Sequence, residues 1–246
     1  MKSKISRIIT AILSLALFIG VIVTVVVSAN TLTLYPLAFD DVVLGVGADV
    51  SKKIVNWYST LSAHGAVDWA PYENMVDGKF PEEYETADAK TVKSNNKPGY
   101  YVNSATITDL KENTEYVYRL RQGSTVSSVY HFNTGSFGDS EFVFVGDPQV
   151  KGTNDSKMWA DTLKKINNGA IFEKAELLIS AGDQVGTSGT KVATAEAELH
   201  WSNFFVDELT EITLAPTAGP AHDIASGDKV LSSYAERFYR PNASDK

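Results

Sequence analysis

After residue 140, three short apolar runs alternate with two helical patterns, and each run leads into a loop carrying an acid or a histidine. The run 141–145 leads to Gly146-Asp147-Pro148-Gln149. The run 176–181 leads to Gly182-Asp183-Gln184-Val185, and the run 211–215 leads through Pro216 to Gly219-Pro220-Ala221-His222-Asp223. The helical patterns cover roughly 155–168 and 192–209. The first has Met158, Trp159, Leu163 and Ile166 near helical spacing, with Asn154 or Asp155 as its cap. The second places Leu199, Phe204, Phe205 and Leu209 among acids. This βαβαβ order restricts the fold to parallel strands joined by right-handed crossovers. Their carboxyl ends converge on one edge of the sheet. Carboxylates and an imidazole gathered there suit divalent metals.

The half before residue 135 has a different period. Strand-like runs cover 42–46, 53–58, 99–107, 115–120 and 128–132, separated by turn signals such as Glu112-Asn113-Thr114 and Gln122-Gly123-Ser124. Tyr116, Tyr118 and Leu120 alternate onto one face. Short strands at this spacing predict a β-sandwich of about 100 residues, with Trp57 as the aromatic anchor of its core. The linker is the small-residue stretch 135–140.

Composition removes several function classes. The net charge is -8 and no Lys/Arg-rich run follows the first few residues, which excludes nucleic-acid binding through phosphate neutralisation. There is no cysteine, so disulfides, thiolate catalysis, zinc fingers and iron–sulfur clusters are excluded. Residues 1–29 begin with Lys2, Lys4 and Arg7, continue apolar from Ile8 to about Val27, and end near Val27-Ser28-Ala29. This reads as an export signal, cleaved at the small residues or retained as a membrane anchor. Either way the rest of the chain is expected outside the cytoplasm, secreted or on the extracellular side, and touching the membrane only through an uncleaved N-terminal segment.

A Gly-Asp pair after a buried strand has a physical logic. Glycine lets the backbone turn sharply, and the aspartate then projects into the crevice beyond the strand end. Two such acids on adjacent strands can share a pair of metals, which lower the pKa of bound water and clamp a phosphoryl group. His222 on the third loop is suited to donate a proton to the leaving group. Taken singly, Gly-Asp also serves as a turn or cap, and a lone loop histidine is ordinary. The three in order, on successive strands, carry the signal.

The combination resembles the metallophosphoesterases, and in particular the purple acid phosphatase branch with its fibronectin type III-like N-terminal domain. Gly146-Asp147-Pro148-Gln149 and Gly182-Asp183-Gln184-Val185 are similar to the first two motifs of that family. Residues 217–223 stand where its Gly-Asn-His-Asp/Glu motif falls. The stretch Ile107 to Tyr118 is similar to the leucine-to-tyrosine corner of fibronectin type III domains, with Tyr116 as the corner tyrosine. The resemblance implies two divalent or trivalent metal ions (Fe, Mn or Zn), with Asp147 a ligand of one and Asp183 bridging both. It implies His222 as the catalytic acid and Gln149 as a metal-facing residue where many relatives carry histidine. An amide oxygen is a poorer ligand than imidazole for zinc or iron.

The departures are specific. Pro220-Ala221 replaces the asparagine that binds the second metal, and Gly186 stands where a metal-binding tyrosine would fall. No histidine follows His222, although the family's remaining ligands are later histidines.

The expected architecture is therefore a signal or anchor over 1–29, a fibronectin type III-like domain over 34–135, and a partial metallophosphoesterase domain over 141–246, C-terminally incomplete. The expected function is hydrolysis of small phosphate monoesters, with little activity in this chain alone. A cell-surface binding protein carrying a degenerate phosphoesterase remnant is the rival reading. A phosphodiesterase or nucleotidase of the same superfamily is the other.

Overall fold

The computed structural model describes residues 38–139, 141–169, 175–187, 194–217, 222–223 and 232–239. The apolar N-terminal segment, Pro220 and Ala221 lie outside the described residues.

Nine strands build the first half: β1 (Asp40–Val46), β2 (Lys53–Ser59), β3 (Gly65–Pro71), β4 (Glu85–Asp88), β5 (Lys90–Lys93), β6 (Tyr101–Ile107), β7 (Glu115–Gln122), β8 (Thr125–Val126) and β9 (Tyr130–Asn133). The second half runs β10 (Phe142–Val145), helix α1 (Thr153–Asn167), β11 (Leu177–Ser180), helix α2 (Thr194–Phe204), a 3-10 turn at Asp207–Thr210, β12 (Thr213–Pro216) and helix α3 (Ser232–Arg237). The described chain is thus mostly β-sheet with few helices. β3, β4, β5 and the two-residue β8 were not anticipated from the sequence.

The two halves share a sheet. β10, β11 and β12 are parallel, in register from Phe142↔Leu177 to Val145↔Ser180 and from Leu177↔Thr213 to Ser180↔Pro216. β12 then pairs in parallel with β1 of the first half, Gly45 opposite Leu214. The result is one seven-stranded sheet ordered β10-β11-β12-β1-β2-β6-β5, facing a second sheet ordered β4-β3-β7-β8, with β9 also on β7. All of this lies in one compact unit, residues 37–246.

β1 is the seam, because successive side chains on a strand point to opposite faces. Val43 enters the core beneath the helices with Val143, Leu178, Leu214, Trp159 and Trp201. Leu44 enters the sandwich core with Val55, Trp57, Tyr116, Tyr118 and Leu120. Burying such a side chain contributes about 1.5–3 kcal/mol, so each core depends on a strand that the other also uses. Trp57 is fully buried, and its Nε1 donates to Gln122 Oε1 at 2.9 Å. At the corner the Lys111 amide donates to Tyr116 Oη at 2.8 Å, with Leu110 buried beside it.

Helix α1 buries Trp159, Leu163 and Ile166, one face of a helix. Met158 faces solvent instead, at 64% exposure. The helix begins at Thr153, and Asp155 in its first turn accepts the Lys151 and Gly152 amides at 3.1 and 3.2 Å, satisfying donors at the helix start. Helix α2 is shorter than its pattern predicted. It buries Ala197, Trp201 and Phe204, while Leu199 faces out.

Helix α3 ties both halves together with charge. The Arg237 side chain is fully buried, and its Nη2 lies 3.1 Å from Asp41 Oδ2 and 2.6 Å from Glu198 Oε2. Irregular pairing between Asp40 and Val43, with φ 48° at Asp41, accompanies the inward position of the Asp41 carboxylate. Burial pushes the Asp41 carboxyl above its ordinary range, and Arg237 and Lys97 oppose that push. Glu236, on the same helix, accepts from Ser94 Oγ, the Asn95 amide and Tyr58 Oη at 2.7, 2.7 and 3.0 Å.

Candidate active site

The parallel register sets the site. Val145, Ser180 and Pro216 stand side by side at the ends of β10, β11 and β12. Neighbouring strands lie about 4.8 Å apart. Asp147 is two residues beyond Val145, and Asp183 is three beyond Ser180. Both loops therefore leave the same edge of the sheet.

Their backbones are held in an uncommon conformation. Asp147, Gln149 and Asp183 all have positive φ, at 50°, 44° and 51°. Left-handed non-glycine residues each cost about 1–3 kcal/mol and persist where surrounding bonds over-determine them. Aspartate tolerates the region better than glutamine. Here the Gln149 amide donates to the Asp183 carbonyl at 2.9 Å and the Val150 amide to the Gln184 carbonyl at 3.1 Å. The Gly186 amide returns to the Val150 carbonyl at 3.2 Å. Val150 and Val185 form an isolated parallel bridge that extends the pairing of the first two strands past their ends.

The third loop reaches the second. His222 Nε2 stands 3.7 Å from Asp183 Oδ2, with both side chains partly exposed. His222 Nδ1 has no hydrogen-bond partner among the described residues. Asp147 is exposed and Gln149 half-buried. Gln149 lines a cleft of about 290 Å³ with Val145, Pro148, Asp155 and Trp159; neither Asp183 nor His222 is among its walls. The sheet edge thus brings Asp183 and His222 into contact, and it places Asp147 and Gln149 on the adjoining loop through a backbone bond to Asp183.

The donors agree in kind with a hard cation: two carboxylates and an amide oxygen. They fall short in number, since among the described residues no three His, Asp or Glu side chains converge as a metal-binding group. At Gly186 the Lys151 side chain occupies the space that a side chain would need. Three residues of the site had no assigned role in the sequence reading: Gln184, Thr187 and Asp223. Gln184 is fully buried, and its Nε2 donates to Thr217 O at 2.7 Å and Ser180 Oγ at 3.2 Å, tying the ends of β11 and β12. No local pattern marks such residues, because their partners lie on another strand.

The other histidines stand apart. His64 lies 3.3 Å from Asp88 and His131 3.4 Å from Glu115, both on the sandwich. His200 is buried on α2, and burial holds its imidazole below the usual pKa.

The described fold has counterparts among known proteins. Residues 40–134 match the family described as Purple acid Phosphatase, N-terminal domain. The fold is similar to that of purple acid phosphatase PPD1 from yellow lupin (Lupinus luteus) seeds, with a TM-score of 0.62 at 19% identity, covering 85% of this chain and 42% of that one. It is also similar to PhoD, with a TM-score of 0.50 at 13% identity, covering 84% of this chain and 47% of that one. The chain therefore spans less than half the length of either solved chain. No curated protein matches it by sequence.

Proposed function

We propose that this chain carries the first part of the active site of a metal-dependent phosphoric ester hydrolase, acting on small phosphate monoesters outside the cytoplasm. The observation that supports it is the meeting of Asp183 and His222 at 3.7 Å on a strand-end edge that also carries Asp147, within a fold shared with purple acid phosphatase. On this reading residues 34–135 are the N-terminal domain and 141–246 the partial catalytic domain, joined through β1. Residues 1–29 are the export signal or anchor.

Asp147 and Asp183, with Gln149, would hold iron, manganese or zinc loosely. Such an ion, when bound, neutralises phosphate charge and makes water a nucleophile. The side chain that can move a proton is His222, through Nε2 beside Asp183. With so few donors converging, the chain by itself is expected to turn over little substrate.

The test is hydrolysis of p-nitrophenyl phosphate and of its bis ester by the full chain with added Mn²⁺, Fe²⁺ or Zn²⁺. Turnover near the blank is expected. Brisk turnover abolished by Asp183→Asn would contradict the incompleteness of the donor set. Brisk turnover indifferent to that substitution would contradict the site itself. Preference for the bis ester would favour a phosphodiesterase. The short donor set favours one further reading, a cell-surface binding protein with a decayed phosphoesterase part; that reading requires no dependence of metal binding on Asp183.

A further inference from the structure

Asp183 and His222 leave different strands, yet their side chains meet. Gln184 ties the two loops near the strand ends through Thr217, and at His222 itself the bonds between them include those from Asp223 and from the His222 backbone. Asp223 is fully buried, and its Oδ1 accepts the Val185 amide at 3.1 Å. The His222 carbonyl accepts the Thr187 amide at 3.0 Å and the Thr187 hydroxyl as well. Residues 222 and 223 are therefore pinned to 187 and 185, on either side of Gly186.

Residues 184–187 act as a rail. They bond on one side to the first loop through Val150 and on the other to the third loop through His222 and Asp223. Asp183 is the residue just before this rail. A buried carboxyl group is costly to desolvate unless it is hydrogen-bonded, and the Val185 amide supplies such a bond.

We propose that Asp223 is a positioning residue that fixes His222 beside Asp183 by anchoring the third loop to the Val185 amide. The proposal rests on the reading of His222 as the proton-donating group. Placement matters for such a group, because a displacement of about 1 Å can cost on the order of 100-fold in rate. Asp223 is assigned no part in the chemistry itself; its role is the placement of His222.

The test is heteronuclear NMR of the full chain, whose sequence has four histidines. The His222 ring resonance is identified by its loss in His222→Gln. In the wild-type chain Asp183→Asn is expected to move that resonance. In Asp223→Ala the response to Asp183→Asn is expected to vanish. In Asp223→Asn it is expected to persist, since the amide oxygen still accepts the Val185 N–H. Should Asp223→Ala fail to fold, Asp223→Ser, whose hydroxyl falls short of the Val185 amide, is read in its place.

An unchanged response in the Ala or Ser background overturns the proposal. So does the absence of any response in the wild-type chain, and so does movement of His64, His131 and His200 together with His222, which marks a general loosening. The measurement needs neither metal nor turnover. Failure of the hydrolase reading, seen as metal binding indifferent to Asp183, is therefore distinguishable from failure of this one.

Discussion

β2 and β10 lie in the same sheet and are stabilised in different ways. β2 is flanked by β1 and β6 and is buried on both faces from Ile54 to Ser59. β10 ends the strand order, pairs among the described residues with β11 alone, and leaves Phe142 and Phe144 exposed at 54% and 64%. The first is specified by packing against two cores. The second buries Val143 on one face and relies on backbone bonds beyond its end, through Gln149, Val150 and Gly186, to set its loop. Packing is thus thicker around the sandwich strand than around the edge strand that carries the first candidate loop.

The strongest way to break this comparison is to sever the seam. Arg237→Met leaves Glu198 buried without its cation and Asp41 with Lys97 alone, and removing one partner of a buried pair costs about 3–5 kcal/mol. Urea unfolding followed by Trp57 and Trp69 in the sandwich, and by Trp159 and Trp201 under the helices, is expected to show one shared transition that moves as a whole. Two separated transitions would mean that the halves are independent and the seam unimportant.

Next come the two faces of the parallel strands. Leu178→Ala, at a fully buried position, is expected to cost about 2–5 kcal/mol. Phe144→Ala, on the open face, is expected to fall within about 0.5 kcal/mol of wild type. Equal losses in chemical denaturation would show that the exposed face is covered in solution. A smaller effect is expected at the corner. Tyr116→Phe removes the acceptor for the Lys111 amide and should cost about 1–2 kcal/mol, measured by the same denaturation.

The smallest effect is a pH dependence. Burial depresses the His200 pKa in the folded chain below its ordinary 6.5, so the folded chain takes up this proton less readily than the unfolded one. The resulting stability is present above 6.5 and is lost as pH falls from there toward the depressed folded value. The melting temperature is expected to drop across that window, and less so in His200→Gln. An identical drop in both chains would assign the effect elsewhere.

How much of this was legible in the sequence follows the same division. The Tyr116 corner was legible because its pattern is local. That the loops of Asp147, Asp183 and His222 leave one sheet edge was legible, because each follows a short apolar strand. β3 was not, since Gly65–Pro71 is buried on both faces from Gly65 to Ala70 and shows no alternation. β4 and β5 are mostly polar edge strands with little hydrophobic signal. Met158 and Leu199 belong to the apolar patterns of the two helices yet face solvent, while Trp159 and Trp201 fill the core. The pairing of β1 with β12 depends on a contact between distant segments. So does the Asp223 bond to Val185, and no local period records either.

The most direct test of the site is Mn²⁺ binding followed by electron paramagnetic resonance in the full chain, the Asp147→Asn chain and the Asp183→Asn chain. With few oxygen donors, a weak site with Kd on the order of 10⁻⁴–10⁻³ M is expected in the wild-type chain. Either substitution should abolish it, because the hydrolase reading has both strand-end carboxylates serve one cation. Equal binding by all three chains, or loss in only one variant, would contradict the shared edge on which the hydrolase reading stands.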